Sequence, residues 1–120
     1  MNPKQALPAL RLAIGAGAFA APVLTGKAFG LNAKDNHEAI YLARLFGIRD
    51  VALGIGQTVT SGDASALWWQ LGVVCDLGDA VAAVKMFKGG GPKLASVLAG
   101  GTALVAAGLG IAAVTAPAAE

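Results

Sequence analysis

Residues 94–119 read LASVLAGGTALVAAGLGIAAVTAPAA, with no charged side chain anywhere along them. The run exceeds the ~20 residues that a helix needs to cross a bilayer. Gly89, Gly90 and Gly91 supply a turn before it, and Pro117 ends it. Pro92 stands where a helix-opening proline is tolerated, because the N–H that it lacks would be unpaired there anyway. This predicts a spanning helix over about 92–116.

The rest of the chain is read outward from that segment. The 120 residues are 56% hydrophobic and 13% charged, against roughly a quarter charged for a soluble domain. The apolar mass is mostly Ala, Leu, Val and Ile, with 17 glycines. Small residues suit helices packed in lipid, where association depends on close approach of backbones. A net charge of +2 without a basic–aromatic cluster argues against a nucleic-acid partner. One cysteine, Cys75, excludes an internal disulfide and a multi-cysteine metal site. With His37 the only histidine, no metal centre and no cofactor are expected.

A first spanning segment is predicted over about 7–25, stopped by Gly26. A signal peptide is the rival reading, because Lys4 and Arg11 precede the apolar run and Ala18, Phe19 and Ala20 resemble a cleavage site. Asp35, Asn36, His37 and Glu38 have capping-box spacing and open a helix over about 37–60. Ser61, Gly62 and Asp63 make a turn, with Asp63 as cap of a third helix over about 64–87. Each middle helix is about 36 Å long at 1.5 Å per residue, enough to span with tilt. Tyr41, Trp68 and Trp69 stand near helix starts, where interfacial aromatics are expected. The fold class expected is all-α: a four-helix transmembrane bundle, up-down-up-down, as one membrane domain over 1–120.

The linkers set the orientation. Lys27, Lys34 and Arg44 flank the first, and Lys85, Lys88 and Lys93 flank the other on the same side. Lys4 and Arg11 lie opposite, with Asp63 and Glu120. The excess of bases predicts linkers 26–36 and 88–93 in the cytoplasm.

Four charges fall inside the middle helices: Arg49, Asp50, Asp76 and Asp79. Each would cost about 2.5–3.5 kcal/mol at the bilayer centre if it faced lipid. Arg49 lies 13 positions before Gly62 and Asp76 lies 14 after it, so antiparallel helices set them at one depth. An Arg49–Asp76 ion pair follows, with the guanidinium fork held bidentately. Asp76 and Asp79 share a helix face. With Arg49 as the one deep cation the four groups are two negative charges in excess, so a protonated carboxylate or a water-filled cavity is expected. The network is either architectural, fixing the register of two helices, or a site for a proton, cation or small ligand.

Small residues mark the expected packing faces: Gly47 and Gly54 with Asp50 and Gln57, and Gly72 with Asp76, Asp79 and Ala83. Ala13, Gly17 and Ala21 do so on the first helix, and Gly100 and Gly108 with Leu104 on the last. No nucleophile–base pair, metal motif or phosphate loop is present, so no catalytic residue is assigned.

The segments Arg44-Leu-Phe-Gly-Ile-Arg49-Asp50-Val-Ala-Leu-Gly54 and Cys75-Asp76-Leu-Gly-Asp79-Ala-Val81 resemble a group of small bacterial integral membrane proteins of unknown function, similar to the DoxX-like superfamily. The resemblance implies four helices in a bacterial plasma membrane; some of these proteins are associated with membrane redox complexes. The expected function is a non-catalytic membrane protein, an accessory or structural subunit with the bilayer, a membrane-protein partner or a second copy around it. The alternatives are a small proton-linked carrier using Asp50, Asp76 and Asp79, and, third, an embedded enzyme acting on a lipid or quinone.

Overall fold

The computed structural model describes residues 2–115, and every regular element among them is helical. The helices are α1 (Pro3–Ala20), α2 (Pro22–Ala28), α3 (His37–Val59), α4 (Gly62–Lys88) and α5 (Lys93–Thr115). The expectation of a four-helix transmembrane bundle is corrected in two respects. Among the described residues there are five helices, and only α4 and α5 are long and apolar enough to cross a membrane. Every 18-residue window of α3 contains Arg44, Arg49 and Asp50, and α1 spends its first half on Pro3, Lys4, Gln5 and Arg11. Pro117 and Glu120, and the last position of the segment predicted over 92–116, lie outside the described residues.

The segment predicted over 7–25 is two helices. Pro22 has no N–H and disfavours helical geometry in the residue before it. Ala21 accordingly leaves the helix at φ −135° and ψ 68°, its own N–H still donating to the carbonyl of Gly17. α2 then runs past Gly26 and stops at Gly30, whose φ of +77° closes the turn. There the Leu31 N–H donates to the Gly26 carbonyl and the Gly30 N–H to that of Lys27, the Schellman pattern. At the other end of α1, Asn2 and Gln5 satisfy each other's backbone N–H in a capping box.

The remaining ends differ from expectation in detail. Asn36, one of the two residues that could cap α3, does so by accepting from the Ala39 N–H, and Asp35 is the turn residue before it, at φ +61°. Ser61 precedes α4 without a side-chain cap, and Asp63 lies in the first turn, where its charge meets the positive end of the helix dipole. Lys93 donates to the Phe87 carbonyl at 2.6 Å and sits 4.0 Å from the centre of that ring, tying the start of α5 to the end of α4.

Two antiparallel pairs, α1 with α3 and α4 with α5, make the most extensive contacts. The α1/α3 seam is backbone against backbone. A Cβ on Gly15 would lie 2.7 Å from the Gly47 carbonyl oxygen, and one on Gly47 2.5 Å from that of Gly15. The α4/α5 seam is looser, Gly100 facing the Ala83 methyl and Gly110 facing Val73. The pairs then join along narrower seams, α1 against α5 and α3 against α4, while α1 and α4 stay apart across the middle.

Leu7, Trp69, Ala106 and Ala113 form the core at the α1/α5 end. Trp69 is thus a core residue, not an interfacial anchor; Trp68 packs on Gly56, and Tyr41 is exposed. Large apolar side chains cover the outer faces of α4 and α5, among them Val74, Val81, Leu94, Val97, Leu104 and Val105. An exposed apolar surface of that extent suits contact with lipid.

Candidate functional site

Helix geometry puts Asp50 on the buried face of α3 with Gly47, Leu53, Gly54 and Gln57. Arg49, one position earlier, turns toward α4 and stays a third exposed. On α4, Asp76 is buried with Gly72, Ala80 and Ala83, while Asp79 lies one turn on and is also a third exposed. The fifth member comes from α1. Arg11 is 2% exposed and shares its helix face with Leu7, Gly15 and Ala18.

These five side chains form one connected set. Arg11 donates to Asp76 bidentately, Nη1 to Oδ1 at 3.0 Å and Nη2 to Oδ2 at 2.6 Å. Arg49 holds Asp79 in the same way, at 2.9 and 2.6 Å. Asp50 lies between them and accepts on Oδ1 alone, at 3.5 Å from Arg11 and 3.4 Å from Arg49. Paired guanidinium–carboxylate forks of this kind are the strong form of the contact.

The expected Arg49–Asp76 pair is therefore not formed: Arg49 pairs with Asp79, and Asp76 is taken by Arg11. Matched depth brings α3 and α4 into register, but Arg11, a flanking base by sequence, lies buried inside the fold. The missed signal was periodicity, since Leu7, Arg11, Gly15 and Ala18 recur at helical spacing and form the inward face of α1. Arg11 also changes the charge: two guanidiniums face three carboxylates, leaving one negative charge in excess rather than two.

Gly72 takes a role that sequence did not indicate. A Cβ there would lie 2.7 Å from Arg11 Nη2 and 2.7 Å from Gln57 Nε2, so glycine makes room for a side chain rather than a neighbouring helix. Gly47 and Gly54 do meet α1, and Gly100 meets Ala83. Gly108 faces open space, and Gly110 packs alongside Gly100 on α5. Ala13 is exposed, and Leu104 points outward. The Gln57 amide is buried without a hydrogen-bonding partner on either atom, as is Nε of both arginines.

A half-enclosed cleft of about 470 Å³ lies between the two helix pairs, with wall residues from all five helices, within the ~300–1,000 Å³ of small-molecule sites. It extends from the network toward the end of the molecule that carries the two linkers. Leu10, Ile14, Phe46, Met86 and Ala103 are among its apolar walls, and Arg11, Asp50, Asp76 and Asp79 are its charged ones. His37, Lys27 and Arg44 border a separate depression beside α2. Arg44 also donates from Nε to the Phe19 carbonyl at 3.1 Å, closing the end of α1. Among the described residues no group of histidines, cysteines and carboxylates has the arrangement of a metal site.

No family model, curated protein or solved structure matches the chain. The likeness to DoxX-like proteins thus rests on the residues quoted for it alone.

Proposed function

We propose that this chain is a membrane protein held in the bilayer by α4 and α5, and that it binds an amphipathic small molecule in its cleft without catalysing a reaction on it. The observation that carries this reading is the position of the network. A purely architectural set of ion pairs needs no cavity beside it; here the nearly buried Arg11, Asp50 and Asp76 and the third-exposed Asp79 all contribute to the wall of an otherwise apolar cleft. A mostly apolar pocket with a few convergent polar groups is the usual form of a small-molecule site. The cleft offers no nucleophile activated by a base, which favours binding over chemistry.

Lys27, Lys34, Lys85, Lys88 and Lys93 lie in or beside the two linkers, which supports a cytoplasmic position for that end by the positive-inside rule; the DoxX-like resemblance supports a bacterial plasma membrane. A second reading, a small carrier, is favoured by the partial exposure of Arg49 and Asp79, through which the cleft's polar wall reaches the α3/α4 seam.

Binding is tested with N-phenyl-1-naphthylamine, an apolar fluorophore, added to the protein in lipid nanodiscs. One saturable site is expected. Ala82→Trp, at an exposed position on the cleft wall, should abolish it, whereas Leu77→Trp on the outer face of α4 should not. Equal binding by Ala82→Trp and the unmodified protein would refute the cleft as the site.

A further inference from the structure

We infer that the cleft is selective for a lipophilic monocation, an apolar body carrying one positive charge; the inference rests on the proposed binding role of the cleft. It follows from how the three carboxylates are partnered. Asp76 and Asp79 each use both oxygens on one guanidinium, at 2.6 to 3.0 Å. Those two pairs are complete and neutral. Asp50 is the third carboxylate, 5% exposed, and meets both arginines only at the long end of hydrogen bonding and only through Oδ1. When ionised, it carries the one charge that the two arginines leave uncompensated.

That charge borders a cleft whose other walls are apolar. In surroundings of low dielectric constant an uncompensated charge attracts an opposite one far more strongly than it would in water. Among the described residues no lysine lines the cleft. A neutral apolar ligand would fill the volume and leave the charge unmet; an anion would be repelled. A cation with an apolar body meets both requirements; the Phe46 ring on the same wall already carries the Arg49 guanidinium, 4.8 Å from its centre, and serves only as apolar wall.

Two isosteric compounds separate charge from shape: (4-butylphenyl)trimethylammonium and its uncharged carbon analogue, 1-butyl-4-tert-butylbenzene. Their affinities are measured by displacement of N-phenyl-1-naphthylamine from the unmodified protein in nanodiscs of zwitterionic lipid. The cation should bind on the order of tenfold tighter or more. Asp50→Asn removes the excess charge while leaving both bidentate pairs in place, and it should reduce that preference to about onefold. Equal displacement by the two compounds in the unmodified protein would overturn the cation assignment while leaving the cleft as a binding site; it is the result expected if a proton already cancels the charge. Displacement by neither, with the fluorophore not binding at all, would overturn the binding reading itself. A cation preference that survives in folded Asp50→Asn would overturn the assignment to Asp50. The isostere comparison uses no variant and so decides the matter even if Asp50→Asn fails to fold.

Discussion

Asp50 and Asp76 accept from the same guanidinium, yet their removal should have unequal consequences. Asp76→Asn would leave Arg11, 2% exposed, with one amide oxygen in place of the bidentate carboxylate, and with Asp50, at 3.5 Å, as its remaining charged partner. Stranding one partner of a buried pair costs about 3–5 kcal/mol. Asp50→Asn keeps both forks and should cost less than ~1 kcal/mol, the scale of a single net hydrogen bond. Thermal unfolding followed by circular dichroism in one detergent should rank Asp76→Asn well below Asp50→Asn. Equal midpoints would show that the Arg11–Asp76 fork does not hold the helices. At this scale the sequence was partly legible. Counting from Gly62 put α3 and α4 in register, because depth in an antiparallel pair is arithmetic. It could not tell which arginine meets which aspartate. That choice is made by a third helix, and Arg11 read as a flanking base because hydropathy averages over a helix without regard to face.

The two helix pairs are held by different surfaces. Across α1/α3, glycine backbones touch, and a methyl on Gly47 would meet the Gly15 carbonyl oxygen and the Phe19 amide nitrogen, at 2.5 and 2.8 Å. Neither atom belongs to a side chain that could turn away. Gly47→Ala should therefore destabilise by about 1–3 kcal/mol, the usual cost of overpacking. Gly108→Ala on α5 meets nothing within 4 Å and should be neutral or stabilising by up to about 1 kcal/mol, the helix-propensity gain. Unfolding midpoints of the two variants, compared in the same lipid, check this; a Gly47→Ala protein as stable as the parent would contradict the close seam. Small residues were readable as packing residues, but their direction was not. Gly100 and Gly110 pack while Gly108, on an α-helical row with Gly100 and Leu104, does not. The break at Ala21 was also readable in principle, since Pro22 stood inside the predicted segment; an unbroken apolar run hid it.

For the whole molecule, antiparallel order brings both linkers to one end. A Cβ on Gly30 would lie 3.2 Å from the Leu94 side chain, so the loop after α2 rests on the start of α5. Single cysteines at Asn32 and Lys88, in a Cys75→Ala background, should react with an impermeant maleimide from the same side of the membrane. Labelling of Asn32 and Lys88 from opposite sides would contradict this arrangement, and labelling of both from outside the cell would reverse the proposed orientation.

The strut from Arg11 to Asp76 joins residues 65 positions apart in the chain. At roughly 5–20 residues per second of synthesis, the arginine is added to the chain about 3 to 13 seconds before its partner. For that interval the first helix carries a bare guanidinium. Its arginine cannot settle in an apolar interior until α4 has arrived, so the first helix made is among the last to be locked in place.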